Sequence, residues 1–389
     1  MSDLSTSAAK FRGNPARGLF DAIWPAIAAI AFALFMHLLV RPSIDAYWAI
    51  LLLNIGINVT LGVSLTMVNG FTGQFSMGHA GFLAVGGYTA GAITYYGSHL
   101  IFGSPNARPG LLCGMPIDTA GLPFLGGGEW LFVLAIIVGG VVAAGLGYIV
   151  GLPSLRLKGD YLAIVTLGFG EIVRVMIQQT SDVVRSTDAV RAMPIGQTAI
   201  SLGGSLGFGD LPKYTSTFWV FLVAALTLLV AYRIKSSSYG RAFLSIREDE
   251  VASGSMGVNT TKFKVRAFVL AAFFAGIAGG LYGHTLGVAL SPADAGFQKS
   301  FDIIIIVVLG GLGSISGAAL AAIIVTILPE QLRAFAEYRM IIYALALILL
   351  MLFRPQGLLG VREIWDASVW SWTRRLFGKK KTGNTGGPA

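Results

Sequence analysis

Residues 69–91, NGFTGQFSMGHAGFLAVGGYTAG, set an amide, a hydroxyl and an imidazole (Gln74, Ser76 and His79) beside Phe71 and among glycines, in an otherwise apolar part of the chain. None of these groups is an activated nucleophile. What they offer is reversible hydrogen bonding. Irregular backbone at membrane depth is tolerated only where protein buries it or a wet cavity faces it. Broken helices also aim free N–H and C=O groups at solutes. Two readings of the segment follow, a lining for a solute pathway or a glycine-rich packing elbow, with Phe71, Gln74, Ser76 and His79 as the pathway candidates.

Two further groups of charge stand out. Glu171 and Arg174 are three residues apart, a spacing that lets them pair on one helix face. They lie toward the outer end of an apolar run, where arginine reaches the interface, so the expectation is a structural ion pair. The second group is dense: residues 233–266 read RIKSSSYGRAFLSIREDEVASGSMGVNTTKFKVR, between long apolar stretches. Such a block must leave the hydrocarbon. Its pattern reads helix, glycine, helix, with Asn259, Thr260 and Thr261 able to cap the helix that follows. That is the shape of a knob that lies in a partner's groove, or of a solvated loop with helical propensity.

Catalytic chemistry has no foothold in these residues. The chain lacks a G-x-x-x-x-G-K-[ST] phosphate loop, so ATP hydrolysis is not its own activity. No His, Cys, Asp and Glu grouping has metal-ligand spacing, and no cofactor is expected. The single cysteine, Cys113, rules out an intrachain disulfide. The reading is a protein that is not an enzyme.

The elements that must position these residues are membrane spans. Of 389 residues, 54% are hydrophobic and 12% charged, against about 25% charged in soluble domains. The net charge of +9 resides in loops and tails. This is the positive-inside pattern of membrane topology, and it makes a nucleic-acid partner unnecessary. Spans of about 20 apolar residues fall at 19–40, 46–68, 81–97, 130–152, 161–178, 217–235, 264–287 and 338–353, with an interrupted stretch at 301–328. The first follows Lys10, Arg12 and Arg17 and is too long for a cleaved signal peptide, so it reads as a retained span.

Loop charge then orients the chain. Arg156 with Lys158, the 233–266 block and the tail from Arg354 are basic and read as cytoplasmic; the loops at 98–129 and 179–216 read as external. With both termini inside, 301–328 must begin and end on the outer side, so the Gly310-Gly311-Leu312-Gly313-Ser314 run must break it into two short or re-entrant helices. The expected fold is an all-α polytopic membrane protein of about ten membrane segments. Glycine, at 51 residues, recurs inside the apolar runs and allows close helix packing.

Four motifs occur in order: GFTGQFSMGHAGFLAVGGYTAG, LKGDYLAIVTLGFGEIVR, SSYGRAFLSIREDEVASGSMGVNTTKFKVRAFVLAAFFAGIAGGLYG and VLGGLGSISGA. Together, over residues 46–360, they resemble the LivM-like permeases of branched-chain amino acid ABC importers. The resemblance implies the ABC importer permease fold in a bacterial inner membrane. It implies transport with a second, LivH-like permease, two cytoplasmic ATPases that bind the ATP, and a periplasmic solute-binding protein. Residues 19–360 would be the permease domain, between cytoplasmic tails at 1–18 and 361–389. Within it, 236–263 would be the coupling segment, with Arg247, Glu248, Asp249, Glu250, Met256 and Gly257 toward an ATPase.

Two departures accompany the resemblance. Ser253-Gly254-Ser255 stands where the family carries an Ala/Glu-rich helix, which predicts a short or bent coupling helix. Residues 185–191, RSTDAVR, lack the glycines of the family's outer turn. The second bears on substrate, since related permeases carry urea, amides and aromatic or dicarboxylic acids. A secondary transporter or channel working alone is the other function class, although few titratable groups lie at membrane depth.

Overall fold

The computed structural model describes residues 15–108, 110–113, 125–155, 157, 160–198, 200–285, 288–353, 356–360 and 363–364. Arg156, Lys158, Arg354 and most of both expected tails lie outside the described residues. The chain folds as α1 (Pro15–Phe35), α2 (Ala46–Asn69), α3 (His79–Phe102), α4 (Gly127–Ser154), α5 (Asp160–Gln178), α6 (Thr217–Ser236), α7 (Ser238–Glu248), α8 (Glu250–Ser255), α9 (Thr260–Gly283), α10 (Phe297–Gly310), α11 (Ile315–Gln331) and α12 (Arg339–Phe353). All but α7 and α8 belong to the apolar bundle. The fold is all-α and polytopic.

Helix α3 is deeply buried. It carries too many glycines, tyrosines and hydroxyls to face lipid, and it packs against both α4 and α9, which also pack against each other. The approach is backbone to backbone: a methyl added at Gly86 would lie 2.2 Å from Gly276 Cα, and one at Gly279 would lie 1.8 Å from Leu83 O. Lipid supplies no hydrophobic drive between helices, so this contact and its dispersion energy hold the centre together. The outward faces of α1, α4 and α5 carry exposed Trp24, Phe32, Ile149 and Ile164, as lipid-facing helices do.

The break after α2 runs from one end of the bundle back to the level of Ser64 in α2 and Ser300 in α10. Helix α2 has 24 residues and, at about 1.5 Å per residue, already exceeds the ~30 Å hydrocarbon thickness. The break therefore begins at one end of the bundle, beside the charged block. Helix α3 starts at His79 and runs unbroken through Gly81, Gly86, Gly87 and Gly91, which serve packing rather than interruption.

The stretch at 301–328 breaks where its glycines lie. Helices α10 and α11 flank residues 311–314, and Gly311 and Gly313 take φ of +105° and +97°, a region that side-chain-bearing residues avoid. The charged block is two helices. Ser237 caps α7, and Asp249 caps α8 by accepting from Val251 N at 2.8 Å and Ala252 N at 3.0 Å. The bend is therefore at Asp249, while Ser253, Gly254 and Ser255 remain helical.

Gly257, at φ +86°, closes α8: Val258 N bonds Ser253 O at 3.1 Å and Gly257 N bonds Gly254 O at 3.1 Å. Asn259 then caps α9 through Lys262 N at 3.0 Å, as its sequence position predicts.

Candidate functional site

The second helix break lies, and the first begins, at the end of the bundle that carries α7 and α8. In the first, Asn69 Oδ1 accepts from Ser76 N at 3.2 Å, Thr166 Oγ1 of α5 accepts from Met77 N at 3.0 Å, and Ser300 Oγ of α10 accepts from Ala80 N at 3.4 Å. Three elements thus satisfy backbone donors that no helix serves. The side chains are less settled. Asn69 Nδ2, Gln74 Oε1 and Ser76 Oγ are buried with no hydrogen-bond partner among the described residues. Buried polar groups are normally paired, so this bunching marks a place able to receive a polar solute or water.

The four expected pathway residues take different positions. Gln74 lines a cavity of about 400 Å³ with Leu162, Ile246, Arg247, Glu250 and Lys264. Ser76 is 1% exposed beside it in sequence. Phe71 packs in the core formed by α2, α6, α9 and α11, with the Lys235 ammonium 6.0 Å from its ring centre. His79 is buried, and its Nε2 lies 2.7 Å from Ser64 Oγ of α2. Gln74 faces space, whereas Phe71 and His79 are enclosed by side chains.

The second break is held by partners far away in sequence. Lys235 Nζ donates to Gly313 O at 2.7 Å and pairs with Glu363 Oε1 at 2.5 Å. Glu363 was expected in a cytoplasmic tail. It is buried against the first turn of α11, accepting from Ile315 N and Ser316 N, each at 2.9 Å, and from Ser316 Oγ at 2.5 Å. A carboxylate at a helix N-terminus meets both its free N–H groups and its positive dipole end. Burial pushes the Glu363 carboxyl up, but the bonds from Lys235, Ser316 and the two backbone donors outweigh it and hold the group below its ordinary value.

The residues after α12 reach this place as a strap, with Leu358 N bonded to Leu309 O at 2.8 Å.

Family membership now rests on more than motif order. The profile described as "Branched-chain amino acid transport system / permease component" matches residues 47–353. The chain belongs to that family. The permease is 33% identical over 319 residues to the high-affinity branched-chain amino acid transport system permease protein LivM of Salmonella typhimurium, covering 78% of this chain and 68% of that one. Against LivM of Escherichia coli K12 the identity is 34% over 320 residues, with the same shares. LivH of E. coli K12 is 26% identical over 308 residues, 78% of this chain and 91% of that one. No solved structure matches it. The family places this permease among the membrane components of transport systems rather than among enzymes.

In the permease the expected coupling residues divide by direction. Glu248 and Met256 face outward, and Met256 is 84% exposed. Gly257 is open on all sides. Asp249 is spent on capping α8, and Glu250 pairs at 2.7 Å with Lys264, whose side chain is only 6% exposed. Arg247 turns inward: its Nη1 donates to Gly70 O at 3.0 Å and to Leu312 O at 3.4 Å.

At the opposite end, Arg174 Nε donates to Glu171 Oε2 at 2.6 Å, and Glu171 Oε1 accepts from Phe297 N, the first residue of α10, at 3.1 Å. That pair ties α5 to the start of α10.

Reading residues alone misses Asn69, Lys235, Lys264 and Glu363. A carboxylate beyond the last span carries no periodic signal. Its partners are backbone groups and a lysine 128 residues away.

Proposed function

We propose that this permease forms half of the translocation unit of an ATP-driven importer of branched-chain amino acids, the solutes that its relatives' names specify. A second, LivH-like permease supplies the other half. Two cytoplasmic ATPases bind and hydrolyse the ATP, and a periplasmic binding protein delivers the solute. The protein sits in the bacterial inner membrane with both termini and the α7–α8 end in the cytoplasm, following its basic loops.

The observation that carries this reading is the surface of α8. Val251 is 70% exposed and Met256 84% exposed, on an element that its charge keeps out of the lipid. Exposed apolar side chains on a charged knob outside the membrane are docking material. Helix-in-groove docking uses apolar anchors on an amphipathic helix.

Uptake by liposomes of defined composition tests the function. Radiolabelled leucine should accumulate only when this chain, the second permease, the ATPases, the binding protein and ATP are all present. Flux driven by an ion gradient through this chain alone would instead establish a secondary transporter. Competition by urea, amides or dicarboxylic acids in the same assay decides among substrates.

A further inference from the structure

The two helix breaks touch each other. A methyl at Gly70 would lie 2.7 Å from Gly313 N, so the chain after α2 and the chain after α10 are in backbone contact. One side chain spans that contact. Arg247, in the last turn of α7, donates through Nη1 to Gly70 O at 3.0 Å in the first break and to Leu312 O at 3.4 Å in the second.

The surroundings are shaped for it. Gly73 and Gly313 both hold positive φ, +69° and +97°. A methyl at Gly73 would sit 3.1 Å from Arg247 Cγ, and one at Gly313 would sit 2.6 Å from Arg247 Nη1. Each break therefore uses a glycine both for its turn and to let the arginine in.

Charge agrees with shape. Gly70 is the C-terminal cap of α2, and Leu312 follows the C-terminal cap of α10. The guanidinium thus stands at the negative end of two helix dipoles, where unmet carbonyls collect. Its planar fork stays charged and carries five donors, so one side chain can serve carbonyls of two segments. Lysine offers a compact charge with a different reach. Meanwhile Glu248, Val251 and Met256, on the same short element, face away from the bundle.

We infer that Arg247 is the positioning residue that carries movement of the α7–α8 knob into both helix breaks at once, rather than a contact to the ATPase. The inference rests on the reading of α7–α8 as the ATPase docking element. It adds the route from that element to the membrane segments: docking on the outer face of the knob, and one arginine on its inner face pulling on α2 and α10 together.

The test uses the assembled importer with Arg247→Met and Arg247→Lys, read as leucine taken up per ATP hydrolysed, alongside the ATPase that co-purifies. Arg247→Met should keep the ATPase bound and hydrolysing, with uptake per ATP down at least tenfold. Arg247→Lys should recover part of that loss. Wild-type uptake per ATP in the Met variant overturns the inference. Loss of the ATPase from the complex also overturns it, because Arg247 would then be a docking contact. Should the Met variant not fold, the Lys variant decides: an unchanged ratio rejects the inference and a severalfold fall supports it. Failure of the docking reading shows separately, as ATPase retained by the double variant Val251→Asp, Met256→Asp.

Discussion

The double variant Val251→Asp, Met256→Asp is expected to release the ATPase and abolish ATP-driven uptake while the permease itself stays folded. Both side chains are largely exposed, so their loss costs the isolated permease little; surface changes of this kind stay within about 0.5 kcal/mol. In a docked complex the same positions become anchors. Removing an anchor costs about 2 kcal/mol or more, and a carboxylate buried without a partner adds to it. Two such changes lower affinity by roughly a thousandfold, at about 1.4 kcal/mol per tenfold. Co-purification of the ATPase, with unfolding temperature measured on the same preparations, checks both halves of the expectation.

Charge reversal in the same element separates by position. Glu248→Lys changes an outward-facing group and is a clean probe of docking. Glu250→Lys is not, because it sets two cations against each other at the nearly buried Lys264. Only the lysine is buried, with Glu250 36% exposed, but an uncompensated buried cation still destabilises, so that change weakens the fold before it reports on a partner.

The largest effect on stability is expected at Glu363. Glu363→Ala removes the carboxylate that meets Ile315 N, Ser316 N, Ser316 Oγ and Lys235. It leaves two backbone donors unmatched and strips a four-fifths-buried lysine of its counter-charge, though not of its bond to Gly313 O, at a cost of about 3–5 kcal/mol. The strap should then detach from the break between α10 and α11. Thermal unfolding of wild type and variant in detergent measures the cost.

The pH dependence at Glu363 has a definite sign. Its carboxyl in the folded state titrates below its ordinary value, so the ionised form favours folding. That contribution is complete above the ordinary carboxylate range and disappears as pH falls through the depressed folded value. The stability gap between wild type and Glu363→Gln should therefore be full at neutral pH and close on acidification. A gap that stays constant into acid would show that charge at 363 does not hold the strap.

Much of the architecture was legible in the sequence because membrane spans are one-dimensional signals. Length and apolarity located the long helices, and parity of the basic loops required a break at residues 310–314, where the helix does break. The Asn259 cap and the three-residue spacing of Glu171 and Arg174 are local too, and local patterns survive translation into structure.

What the sequence hid is long-range and mostly backbone. Arg247 bonds carbonyls at Gly70 and Leu312, 177 and 65 residues away, and a carbonyl acceptor leaves no mark on residue type. The partners of the first break, Thr166 and Ser300, likewise lie 89 and 220 residues from the donors they serve. The coupling helix is short, as Ser253, Gly254 and Ser255 predict: α8 has six residues and ends at Ser255, with Asp249 capping its start and Gly257 closing its end. The helix has only to run from one cap to the other.

The central claim, that energy arrives at the α7–α8 end of this bundle from a separate ATPase, has a direct measurement in cysteine cross-linking. In a Cys113→Ser background, Met256→Cys in the assembled importer should cross-link to the ATPase. Leu206→Cys, 87% exposed at the opposite end, should not. Cross-linking of the ATPase from position 206, or none from position 256 in an actively transporting complex, would contradict the account.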